Sequence, residues 1–71
     1  MKNPVNMTDA ELASFAEKGL KNLLTAEIIC RLRQKGRYIN KNLVNTILED
    51  LITSSENPLE YDEIQKAIDR H

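Results

Sequence analysis

Ile28-Ile29-Cys30-Arg31-Leu32-Arg33-Gln34-Lys35-Gly36-Arg37-Tyr38-Ile39-Asn40-Lys41-Asn42-Leu43-Val44-Asn45-Thr46-Ile47-Leu48 is the stretch on which the fold turns. It contains no Asp or Glu, while Arg31, Arg33, Lys35, Arg37 and Lys41 supply five positive charges. It also holds two apolar helical patterns separated by Gly36 to Ile39. In the first, Leu24, Ile28, Ile29 and Leu32 fall on one side when residues are stepped at about 100° each, and Gly36 stops the pattern. In the second, Asn40 is placed to cap, with Ile39 and Val44 in hydrophobic-staple positions. Leu43, Val44, Ile47, Leu48, Leu51 and Ile52 then form an apolar face too wide to stay exposed in a soluble monomer, which predicts that this is the core helix.

Working toward the amino terminus, Asn22 is the expected N-cap of the helix ending at Gly36. On that helical wheel Cys30 lies roughly opposite the apolar stripe, and Arg31, Arg33 and Lys35 flank it instead of forming one row. Thr8 and Glu11 have capping-box spacing, with Met7 and Leu12 as a staple. Leu12, Phe15 and Ala16 continue the pattern, and Gly19 is placed as a left-handed C′ residue, so a first helix is predicted over 9–18. Residues 1–7 contain Pro4 and show no periodicity, and read as a mobile N-terminal arm. Toward the carboxy terminus, Thr53 to Glu56 reads as a linker. Asn57-Pro58-Leu59-Glu60 offers an N-cap, a proline at N1 and an acid at N3, predicting a last helix over 58–69. Its apolar face, Tyr61, Ile64, Ala67 and Ile68, is thin, which marks it as the element to dock loosely or onto another chain. No segment alternates with period two. The expected architecture is all-α: a single domain over 8–71, a small bundle of four short helices whose second and third form a helix-turn-helix-like pair.

Seventy-one residues suffice for one small domain, near the lower limit for a core unsupported by disulfides or metal. Apolar residues make up 41% and charged residues 30%, too hydrophobic for a disordered segment and too charged for a membrane protein. A single cysteine and no long apolar run lead to the expectation of a cytoplasmic protein. The net charge of −1 hides a dipole, because 49–71 carries seven acids against Lys66 and Arg70. Such opposite ends suit association between copies, contact with a charged partner, or neutralisation within one domain.

Catalysis has little support, since the one His stands at position 71 and the one Cys on an expected polar face. No catalytic, cofactor-binding or metal-ligating residues are assigned: the spacing of Glu60, Asp62 and Glu63 is not that of a calcium loop, and no phosphate-loop or dinucleotide signature is present. The expectation is therefore a non-catalytic regulatory or adaptor protein that acts by protein–protein interaction, including self-association as a homodimer, with no membrane partner. The alternative is a DNA- or RNA-binding helix-turn-helix-type regulator, with the third helix as recognition helix. The candidate macromolecule-binding residues under either reading are Arg31, Arg33, Lys35, Arg37, Tyr38, Lys41, Asn42 and Asn45. A pI of 5.7 and the acids Glu49 and Asp50 on the same helix favour the protein-binding reading. Leu32-Arg33-Gln34-Lys35-Gly36-Arg37 resembles the turn of winged-helix cores, but the segment after Ile52 reads as helical where a hairpin wing would follow, and no functional residue is carried over.

Overall fold

The computed structural model describes residues 2–71. Its elements are a short 3-10 turn at Pro4–Asn6 followed by four helices: α1 Asp9–Ala16, α2 Leu20–Gln34, α3 Lys41–Ser54 and α4 Tyr61–Asp69. The protein is all-α, with no strand among the described residues, and hence no hairpin wing after α3.

Local chemistry sets most boundaries. At α1 the capping box is complete: the Glu11 N–H donates to Thr8 Oγ1 (3.2 Å) and the Thr8 N–H to Glu11 Oε1 (2.9 Å). The helix ends at Ala16, two residues short of expectation, because the Glu17 and Lys18 N–H groups turn back to the carbonyls three residues earlier and tighten the last turn. Gly19 is not a left-handed C′ residue. Its carbonyl accepts the Leu23 N–H at 2.9 Å, so α2 opens at Leu20 and Asn22 lies inside the first turn instead of capping it. The other end of α2 follows the sequence closely. Gly36 adopts φ +65°, its N–H donates to the Arg33 carbonyl (3.0 Å) and the Arg37 N–H to the Leu32 carbonyl (3.1 Å), a Schellman closure. Asn40 caps α3 by accepting the Leu43 N–H at 2.8 Å. Pro58 does not begin a helix. Asn57 spends its side chain on the Leu59 N–H and its carbonyl on the Glu60 N–H, forming a separate turn, and α4 starts three residues later at Tyr61.

The central helix is α2, not α3. It touches α1, α3, α4 and the amino-terminal turn, and Leu24, Thr25, Ala26, Ile28, Ile29, Arg31 and Leu32 are all buried on it. A helix flanked on several sides needs more than one buried stripe, which a single-stripe reading of its wheel misses. Cys30, expected on a polar face, is half-buried and packs against the core, and with Ala26 it lines a cleft beside Leu12 and Ala16 of α1. Helix α3 covers one side with Val44, Ile47, Leu48 and Leu51, leaving Ile52 half-exposed. Helix α4 packs on α3 and α2 through Ile64, Ala67 and Ile68, so its thin face apart from Tyr61 is filled by its own chain.

Residues 3–7 of the expected arm form a turn against the helices, while Met1 lies outside the described residues. Asn3 accepts the Val5 N–H, Pro4–Asn6 form the 3-10 turn, and Val5 and Met7 pack against the core. Proline suits the start of such a turn, and these two apolar contacts carry no periodicity that the sequence could advertise.

Candidate functional site

The five basic residues of the central stretch do not form a common exposed surface. Arg31, a candidate binding residue, is only 8% exposed. It runs under α4, where its Nη1 donates to the Tyr61 carbonyl (3.0 Å), its Nε pairs with Glu27 one helical turn back (3.3 Å), and its guanidinium lies 3.8 Å from the centre of the Tyr61 ring. Arg33 turns the other way and holds the amino-terminal segment, donating to the Met7 and Val5 carbonyls and pairing with Asp9 at 3.1 Å. Lys35 pairs with Asp69 at 3.1 Å. Arg37 donates to the Ile68 carbonyl (3.3 Å) and to the main-chain oxygen of His71 (2.8 Å), satisfying acceptors that the end of α4 leaves open. The basic junction is thus a clasp on α4 and the amino-terminal turn, in which Lys35 and Asp69 are the one ion pair among the described residues that joins the basic stretch to the acidic carboxy-terminal segment.

Electrostatics at the ends of the clasp agree with this geometry. The Lys35 ammonium, with help from Gln65, holds the Asp69 carboxyl below its ordinary value. Asp50 on α3 accepts from Arg70 (2.8 Å), Ser54 and His71, and the Arg70 bond above all draws its pKa down to about 2. The Glu11 carboxyl is lowered first by the Thr8 backbone N–H and then by Lys2. Burial pushes the Cys30 thiol up, so it is protonated at neutral pH, the opposite of an activated nucleophile. No group of His, Cys, Asp and Glu side chains among the described residues converges as a metal site would require.

Two exposed surfaces bear on function. The first keeps three of the candidate residues together: Lys41, Asn42 and Asn45 stand on the outer side of α3 near its start. Tyr38, 81% exposed, stands just before that helix. Lys41 and Asn45 share a cleft of about 180 Å³ with Lys21 and Asn22 from the start of α2, floored by Val5, Phe15, Val44 and Leu48. No carboxylate lines it, and neither lysine has a carboxylate partner among the described residues. Helices α1 and α4 carry acids in their first turns, whereas α2 and α3 carry none and place Lys21 and Lys41 there. Cations at these positive helix ends oppose the dipole, so the cleft gathers positive potential over an apolar floor.

The second surface was not among the sequence candidates. Leu59, in the turn before α4, is 52% exposed and Tyr61 is 66% exposed. Together with Leu23 and Glu27 of α2 they border a groove above Leu24 and Ile64. Glu56, Glu60 and Asp62 flank the two residues along the chain, all exposed and without a cation partner among the described residues. The signal in the sequence was Pro58-Leu59-Glu60-Tyr61, which reads as a helix start and so assigns Tyr61 to a packed face. The Asn57 turn is what turns Leu59 and Tyr61 outward.

No protein-family model, curated protein or solved structure matches the chain.

Proposed function

We propose that the protein is a small non-catalytic regulatory or adaptor module that works by protein–protein contact. The observation that supports this reading is the exposed pair Leu59 and Tyr61 on an acidic rim. Large apolar side chains grouped at a turn, with one aromatic ring stacked on a fixed guanidinium, have the character of an interface anchor. Arg31 is buried and Arg33 and Lys35 pair with carboxylates, which leaves less free charge for a phosphate backbone.

A second reading, nucleic-acid binding, draws on one feature: Lys41, Asn42 and Asn45 exposed along the start of α3 beside Lys21. The two are separated by solution mass measured with and without duplex DNA or RNA, followed by pull-down with the parent and with Leu59→Asp. The expected result is a self-associated state or a stoichiometric protein partner, lost in Leu59→Asp, with no steeply salt-dependent nucleic-acid complex. A strictly monomeric protein that recovers no stoichiometric partner refutes the reading.

A further inference from the structure

We propose that the partner is a second copy of this chain, which inserts its Leu59 to Asp62 segment into the cleft between the amino-terminal turn and the starts of α2 and α3, so that copies associate head to tail. The inference rests on the protein-binding reading and names its partner.

Size and charge both select this occupant. An apolar cavity of about 150 Å³ holds one benzene molecule, so a cleft of about 180 Å³ takes one large side chain and falls short of a small-molecule site. Its apolar floor, under Lys21 and Lys41 that have no carboxylate partner among the described residues, calls for an apolar side chain accompanied by carboxylates. Leu59, with Glu56, Glu60 and Asp62 within three residues of it along the chain, has that chemistry, and all three acids lack intramolecular cation partners among the described residues. The inserted segment is also held in advance. Asn57 fixes the Leu59 N–H, and the Tyr61 ring is stacked on Arg31 with much of its surface left to solvent, which lowers the entropy lost on docking.

The two surfaces cannot meet within one molecule. Stepping α2 at about 100° per residue puts Lys21, Asn22 and Thr25, which border the cleft, on the side opposite Leu23, Glu27 and Arg31, which border the Leu59 groove. An interface that joins different surfaces on opposite sides is heterologous. It generates an open chain, or a ring if the rotation closes, not a two-fold dimer.

The test uses two variants of the full chain. Lys21→Glu/Lys41→Glu removes the receiving charge, and Leu59→Asp removes the inserted side chain. Both alter exposed residues, and acids in the first turns of α2 and α3 suit the helix dipoles, so melting curves should match the parent. Analytical ultracentrifugation of the parent should show mass rising with concentration, and the association should weaken from about 0.1 M to about 1 M salt as the screening length falls from ~10 Å to ~3 Å. Each variant alone should associate at least about tenfold more weakly, since like charges or a buried carboxylate then oppose the contact. Mixed together, they should form a one-to-one dimer that grows no further, because each retains one intact surface.

A monomeric parent overturns the proposal, as does association that either variant leaves intact or a mixture that fails to pair. A nucleic acid that occupies the Lys21 and Lys41 cleft in a protein that does not self-associate overturns it in favour of the other reading. A foreign stoichiometric partner lost in Leu59→Asp, without self-association, overturns this proposal alone and leaves the protein-binding reading standing.

Discussion

Replacing Arg31 separates a structural clasp from an exposed binding residue. Its side chain is nearly covered, so the hydrogen bond to the Tyr61 carbonyl is shielded from water, and such a charged bond contributes about 1.5–3 kcal/mol. Stacking on the Tyr61 ring adds roughly 0.5–1 kcal/mol, at the low end because the ring is mostly exposed. The Glu27 pair adds nothing to the sum, because that carboxylate is about half in water. Arg31→Ala should therefore cost about 2–4 kcal/mol, a large part of the roughly 4–10 kcal/mol expected for a domain of this size. At ~4–8 °C per kcal/mol the melting temperature should fall by roughly 8–32 °C, followed by circular dichroism at the helix signal. Arg31→Lys should fall between, since an ammonium keeps the charge but cannot lie flat against the ring while donating sideways. A melting temperature for Arg31→Ala within about 2 °C of the parent would refute the argument, because changes within ±0.5 kcal/mol are what exposed positions give.

Two further outcomes follow from the packing and the ion pairs. Leu48→Asp places an unpaired carboxylate on a side chain that is 3% exposed, and should cost more than about 4 kcal/mol, leaving the chain largely unfolded at room temperature; a normal urea transition would show that the core face of α3 is misassigned. Asp50, with its pKa depressed from 3.8 to about 2, contributes stability that is fully present above about pH 4 and is lost as the pH falls toward 2. Glu11 and Asp69 are shifted in the same direction, so Asp50→Asn should shrink the acid limb of a plot of melting temperature against pH without abolishing it. An unchanged limb in that variant would show that the Arg70 bond is not maintained in solution.

Much of this fold is legible residue by residue where a local hydrogen bond decides the outcome. Thr8 with Glu11, Gly36 at the end of α2 and Asn40 at the start of α3 satisfy backbone groups within a few residues of themselves, and the chain adopts what their spacing predicts. The reading failed where two local solutions compete. Asn57 and Pro58 can start a helix or close a turn, and the turn wins, which moves Leu59 to the surface and delays α4 to Tyr61. Gly19 likewise serves the helix after it instead of the one before.

The candidate site was the least legible part, because a count of charges along the chain carries no direction. Arg31 and Arg33 are two residues apart on one helix, yet one reaches α4 and the other the amino-terminal turn, on different sides of α2. Only Lys41, Asn42, Asn45 and Tyr38 of the eight candidates remain free of the clasp, and Lys21 joins Lys41 only when α2 and α3 pack side by side.

By itself, then, the sequence determined the four helices and the caps at Thr8, Gly36 and Asn40, because those depend on hydrogen bonds and apolar spacing within a turn or two. Tertiary structure alone decided that α2 is the centre, that four basic residues close on partners as far away as α4 and the amino-terminal turn, and that Leu59 and Tyr61 face outward. These follow from which helix sides meet, and a long cationic side chain takes whichever acceptor that meeting places within reach.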